Sequence, residues 1–204
     1  MLKLHIHDET SRLRAVILGT AESCGSIPKL EDAYDPKSAQ HIQAGTYPIE
    51  EDMVIEMEAV AAVFEKYDVE VFRPKVIQDY NQIFSRDIGF VIDNKFIKAN
   101  ILPDREREIE AIQHVINQIP ATHIFRLPED AHVEGGDVMP WGDYIFVGTY
   151  SGDDYADFIT ARTNKEAVQY LAALFPKKKV VSFELRKHNT DPKENALHLN
   201  YCFQ

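Results

Sequence analysis

His132-Val133-Glu134-Gly135-Gly136-Asp137-Val138 is the stretch on which the reading of this chain turns. Two acidic residues flank a glycine pair, between an apolar run at Thr122–Pro128 and another at Tyr144–Gly148. Adjacent glycines favour a turn with positive φ and let a ligand lie against the main chain. A carboxylate beside such a turn is placed to grip a planar cation. Taken alone, Glu-Gly-Gly-Asp is as well explained by an ordinary glycine turn between strands.

Working outward, the same order of elements occurs twice. Asp87-Ile88-Gly89-Phe90-Val91-Ile92 and Lys95-Phe96-Ile97-Lys98-Ala99 flank Asp93-Asn94, a hairpin signal. A helix over Pro103–Gln118 buries Ile109, Ile112, Ile116 and Ile119, and Thr122–Leu127 reads as a strand. Next, Asp137–Met139 and Tyr144–Val147 flank a Trp141-Gly142-Asp143 turn. A helix from Thr163 to Phe175 follows, with Val168, Leu171, Ala172 and Phe175 as its apolar stripe and Thr163 and Glu166 as a capping box. Lys179–Leu185 closes the unit, and Ala196–Phe203 opens another. Successive units thus begin with Asp87, with Glu134 and Asp137, and with His198. A repeat of this kind predicts modules that lean on their neighbours and present those residues at a shared axis.

Before the repeats, Arg14–Gly19 is a buried strand and His5 and His7 lie on one face of a surface strand. Residues 20 to 50 are broken by Gly25, Pro28, Pro36, Gly45 and Pro48, and read as a flap over a site. Glu51–Tyr67 is a helix whose Met53, Met57, Val60, Phe64 and Tyr67 face a core, with acidic residues at its start. Val69–Pro74 is a strand.

The chain has 204 residues, 45% of them hydrophobic, and a formal net charge of -11. That size suits one domain, and the acidity argues against nucleic acid or an anionic membrane as partner while tolerating a small cation. Cys24 and Cys202 are too few for a disulfide framework and fit a reducing compartment. With no signal-peptide-like segment or uncharged spanning run, the expected location is cytoplasmic.

In order and spacing, Phe84-Ser85-Arg86-Asp87, the Glu134-Gly135-Gly136-Asp137 stretch, Arg162-Thr163-Asn164 and Leu197-His198-Leu199 resemble the guanidino-group modifying enzymes. These are the amidinotransferases, arginine deiminase and dimethylarginine dimethylaminohydrolase. Thr10–Gly19 is similar to their first strand. The resemblance implies an α/β-propeller, the pentein fold, of five ββαβ modules around a central channel. It implies a cysteine nucleophile that forms a covalent amidino intermediate on a substrate such as arginine, with no cofactor and no metal. By matched position, His198 is the acid/base, Glu134 a catalytic guanidinium clamp and Asp87 a substrate-binding carboxylate. Asp137 joins the substrate-binding set mainly as a buttress of the turn. Arg162 either meets a substrate carboxylate or forms a surface ion pair. Burial raises the pKa of a clamp carboxylate and a cationic substrate lowers it.

In the family the nucleophile follows the Leu-His-Leu motif by a long interval, whereas here Gln204 lies six residues after His198. On a strand, Cys202 would lie roughly 13 Å from His198, too far to serve, and Cys24 matches no family role. Both are expected to be buried or partly buried structural thiols. The expectation is a single domain of three to four modules without the fifth. Such a chain would expose two open faces, be poorly stable, or form a homo-oligomer through them. Amidinotransferase is the leading activity, citrulline-forming hydrolase an alternative, and a non-catalytic pentein scaffold a third. His132-Val133-Glu134 also matches half of a zinc nucleobase deaminase site, but the chain has no Pro-Cys-x-x-Cys to complete it.

Overall fold

A computed structural model describes residues 1–152 and 157–202 of the chain. Strand β1 (Ala15–Ile17) is followed by helices α1 (Pro36–Ala44) and α2 (Glu50–Lys66), then β2 (Glu70–Phe72), which pairs with β1 in parallel. The next module comprises β3 (Gly89–Ile92), β4 (Lys95–Lys98), two short helices, α3 (Arg107–Ala111) and α4 (Gln113–Ile116), and β5 (Ile124–Arg126). A third comprises β6 (Val138–Trp141), β7 (Tyr144–Thr149), α5 (Lys165–Leu174) and β8 (Lys179–Glu184). Both later modules form three-stranded sheets of one design: an antiparallel hairpin whose second strand pairs in parallel with the strand after the helix. This is the ββαβ repeat that the two hairpin signals predict.

The turns form where the sequence permits left-handed backbone. Asp93 sits at φ 53° between β3 and β4, and Gly142 at φ 56° between β6 and β7. Neighbouring strand residues point to opposite faces, and β4 uses both. Phe96 packs with Ile109, Ile112 and Ile116 of its own module. Ile97, next to it, packs with Val138, Ile145, Val147 and Leu171 of the following module. The β3–β4–β5 sheet therefore carries its own helices on one face and leans on the following module with the other.

Several elements depart from their sequence reading. The flap contains a helix, α1. Asp35 caps it by accepting from the Lys37 and Ser38 amides at 2.8 and 3.0 Å, and Gly45 ends it at φ 66°. A helix that buries only Pro36 shows no apolar period in the sequence. The Pro103–Gln118 helix is a 3-10 turn (Pro103–Arg105) followed by α3 and α4, broken at Ile112, although Ile109, Ile112, Ile116 and Ile119 are all buried. In α2 the inward face is Met53, Met57, Ala61 and Phe64, whereas Val60 and Tyr67 are exposed. In α5, Ala167 is buried and Ala172 exposed. The cap of α5 is Asn164, whose side chain accepts from the Ala167 amide, and not Thr163. His5 and His7 lie outside any strand; only Ile6 bridges to Asp93. Ala196–Phe203 is also not a strand: Leu199–Cys202 forms a 3-10 turn, and Phe203 lies outside the described residues.

Candidate active site

The turn that opens the third module carries Glu134 and Asp137. Gly135–Asp137 winds as a 3-10 turn, and neither glycine adopts positive φ. The glycine pair is required for space instead. A Cβ on Gly135 would lie 2.2 Å from the Arg86 carbonyl oxygen, and one on Gly136 would lie 2.8 Å from His198 Cγ and 3.1 Å from Asp87 Oδ1. The two modules meet at this point because the Gly135 amide donates to the Asp87 carbonyl at 3.2 Å. Arg86 braces the same junction, donating to the carbonyls of Gly135 and Val138 at 3.0 Å each.

The structure brings Asp87, Glu134 and His198 together, with one ligand-type atom of each within 4.8 Å of the others. All three are buried, Glu134 completely. His198 Nε2 lies 3.4 Å from Glu134 Oε2 and 3.7 Å from Asp87 Oδ1. Its other nitrogen, Nδ1, faces Asp137 Oδ2 at 3.4 Å. Asp137 is occupied in holding the site in shape: Oδ1 accepts from the Leu199 amide at 2.9 Å and Oδ2 from the Thr163 hydroxyl at 2.7 Å. It buttresses the turn, the main part of the role expected of it, and faces the ring.

Arg162 is not the surface ion pair that was one of the two roles expected of it. It is buried, Nη1 donates to the two Glu134 oxygens at 2.9 and 3.2 Å, Nη2 donates to the Tyr34 carbonyl at 3.2 Å, and Nε donates to the Ile159 carbonyl. It is a buried partner of Glu134, not a surface ion pair. Tyr34 also donates its hydroxyl to Asp104, so the segment read as a flap does reach the site.

Three charged residues at the cluster carry no sequence signal. Arg105 pairs its Nε and Nη2 with Glu108 at 2.7 and 3.2 Å, and points Nη1 at Asp87 Oδ2, 3.2 Å away, and at both Glu134 oxygens, 3.5 Å away. Within Asp104-Arg105-Glu106-Arg107-Glu108 these two look like any solvated run of mixed charge, yet Glu108 is 3% exposed. Lys187 is buried and donates to the carbonyls of Ala196 and Leu197 at 2.9 Å each, fixing the approach to His198.

The electrostatics separate the two clamp carboxylates. Burial is the main influence on Asp87 and raises its pKa, with Glu134 adding to the effect and His198 and Arg105 opposing it. Burial works against ionised Glu134 too, but hydrogen bonding from His198 and the charges of Arg162 and Arg105 outweigh it and hold the carboxyl at about 2. Burial disfavours the His198 cation, but Asp137, Glu134 and Asp87 overcome this and raise it to about 9. The acidic side chains of Asp87, Glu108, Glu134 and Asp137 thus lie among the basic ones of Arg105, Arg162 and His198. The Asp87, Glu134 and His198 atoms have a spacing that a small divalent cation would accept. The guanidinium groups already against the same oxygens meet that demand for positive charge.

The two thiols lie in different surroundings. Cys24 is partly buried, and burial and the nearby Glu50 push its thiol up, away from the reactive thiolate. Cys202 is exposed, contrary to expectation, and because its segment turns back its Sγ lies 3.8 Å from the His198 carbonyl oxygen. A cavity of about 440 Å³ lies beneath the flap between Cys24, Tyr34, Tyr47 and Glu50, and none of Asp87, Glu134 and His198 lines it.

No family model matches the chain. An uncharacterized protein of Bacillus subtilis (strain 168), YkgA, is 31% identical over 123 residues, which is 60% of this chain and 36% of that protein. Among solved structures, the chain is similar to inosamine-phosphate amidinotransferase of Streptomyces griseus, with TM-score 0.66 and 16% identity over 93% of this chain and 64% of the other. It is similar to dimethylarginine dimethylaminohydrolase of Pseudomonas aeruginosa complexed with citrulline, with TM-score 0.62 and 18% identity over 87% and 63%. It is also similar to the N-terminal domain of a cyanobacterial arginine dihydrolase, with TM-score 0.60 and 14% identity over 84% and 58%. The chain therefore has the α/β-propeller, or pentein, fold of the guanidino-group modifying enzymes. It spans about a third of the curated relative's length and less than two thirds of these solved chains. No helix among the described residues is long and apolar enough to cross a membrane.

Proposed function

We propose that this chain supplies the guanidinium-holding modules of an enzyme that modifies arginine or a related guanidino compound, in the manner of an amidinotransferase. The observation that carries the reading is the convergence of Asp87 and Glu134 on His198 in a buried cluster whose carboxylates already bind guanidinium groups, those of Arg105 and Arg162. Carboxylates so placed grip the planar cation by paired, charge-assisted hydrogen bonds. Glu134, ionised down to about pH 2, is the permanent anion of the clamp. In this reading the chain contributes the first three to four modules of a five-module ring.

The nucleophile in this reading is a cysteine outside this chain. Its thiolate attacks the guanidinium carbon to form a C–S bond. The C–N bond to the leaving amine breaks as that nitrogen takes a proton from His198 Nε2, leaving an amidino-cysteine. An acceptor amine then attacks the same carbon and returns a proton to Nε2, and the thiolate departs. Asp137, facing Nδ1, keeps Nε2 turned towards the clamp in both steps. In a hydrolytic variant the C–N bond that breaks is the one to a terminal nitrogen, so ammonia or a methylamine leaves with the proton, the rest of the arginine stays on the sulfur-bound carbon, and attack by water releases citrulline and the thiolate; the likeness to a dimethylarginine dimethylaminohydrolase and an arginine dihydrolase keeps this as the second reading. The complete protein, assayed with arginine with and without an amine acceptor, tests both. Acceptor-dependent ornithine supports transfer and citrulline supports hydrolysis. The absence of both, across arginine, methylarginines and agmatine, would overturn the proposal.

A further inference from the structure

We infer that Arg105 is a built-in occupant of the guanidinium clamp, and that a substrate's guanidinium must displace it. The inference rests on the reading of Asp87 and Glu134 as that clamp. Both arginines of the cluster place a guanidinium on it, but they are held differently. Arg162 is anchored on three sides, to Glu134 at 2.9 Å and to two main-chain carbonyls. Arg105 has its firm contacts elsewhere: Glu108 takes its Nε and Nη2 edge at 2.7 and 3.2 Å, and only Nη1 reaches into the clamp, at 3.2 to 3.5 Å. The long contacts are the ones a competitor would replace.

Charge gives the same answer. With Arg105 seated, the buried pair Asp87 and Glu134 already faces the two guanidinium groups of Arg105 and Arg162. A substrate guanidinium added to that set would be a buried charge without a counter-ion, which is strongly disfavoured. If Nη1 leaves as the substrate arrives, the balance is kept. Arg105 thereby sets a threshold that weakly bound guanidinium compounds do not pass.

Calorimetric titration with methylguanidine, which has no second charge to complicate its binding, provides the test. R105M is expected to bind it at least tenfold more tightly than the parent chain, and R105K, which keeps a cation without the planar fork, to fall between them. A second measurement covers the case in which R105M does not fold. In the parent protein, the Arg105 Nε–H should be protected from solvent exchange in nitrogen-15 NMR spectra and lose that protection as methylguanidine saturates the site. Equal or weaker binding to a folded R105M, or binding that leaves the Nε–H signal unchanged, would overturn the displacement and leave the proposed function standing. No binding to the parent or either variant would overturn both.

Discussion

Replacing Glu134 with glutamine changes one oxygen to an NH2 group in a fully buried side chain, and its effect can be worked out from the distances. The carboxylate faces Arg162 at 2.9 Å, His198 at 3.4 Å and Arg105 at 3.5 Å. The amide fills the same volume but carries no charge and turns a donor towards at least one of these cations. Removing one member of a buried ion pair costs about 3–5 kcal/mol, because the other member stays buried without its partner. Typical domains have only about 5–15 kcal/mol in hand. With a urea dependence of about 2–3 kcal/mol per molar, the midpoint of unfolding should fall by about 1–2 M at pH 7. The pKa of His198, held at about 9 partly by Glu134, should fall by roughly one unit or more. Equilibrium urea denaturation gives the first quantity and NMR titration of the ring protons the second. A midpoint shift below about 0.3 M with an unmoved histidine would show that Glu134 is not the anion on which the cluster is organised.

Two further outcomes follow from the same geometry. In G136A the new methyl would lie 2.8 Å from His198 Cγ and 3.1 Å from Asp87 Oδ1, so the ring must move; a shift of about 1 Å at a catalytic group can cost on the order of 100-fold in rate, and turnover by the complete protein should fall about that much, with kcat more affected than KM. Stability should also pass through a maximum in pH. His198 is raised from 6.5 to about 9, so its contribution is full below about 6.5 and is lost as pH rises through 9. Glu134 is lowered from 4.5 to about 2, so its contribution is full above about 4.5 and is lost as pH falls towards 2. These are two views of one interaction and do not add. Lys187, lowered from 10.5 to about 8, acts in the opposite sense and restores some stability above 8. Asp87 and Glu108, raised by burial, remove stability as pH climbs above about 3.8 and 4.5, so urea midpoints measured from pH 3 to 10 should be highest near the lower end of the 4.5 to 6.5 window, and a profile that rises steadily from pH 4.5 to 9 would contradict this assignment.

What could be read from the sequence, and what could not, follows from the range of each interaction. The hairpins of both later modules were legible because apolar runs flank Asp93-Asn94 and Gly142, a local signal. The convergence of Asp87, Glu134 and His198 was legible because they recur at matching places in a repeat, which converts sequence order into spatial order. Arg105 and Glu108 were not, since a mixed-charge run gives no sign that one member reaches Asp87 and another is buried. The contact of Arg162 with Glu134 was not read because the two are 28 residues apart in sequence. The glycine pair was noticed for the wrong reason: positive φ is a local property, whereas the approach of Arg86 and His198 depends on tertiary structure. Cys202 was misplaced because its segment has strand-like residues and turns as a 3-10 helix.

Arg86 adjoins Asp87 in the chain and is tied to the main chain on either side of the Glu134 turn, at Gly135 and Val138. Its remaining contacts run to Glu9, where solvent reaches both side chains. Dissolved salt will weaken the outer pair through screening and leave the inner carbonyl contacts largely untouched. The gap between the two acidic jaws is therefore set by a strut insulated from the ionic strength outside.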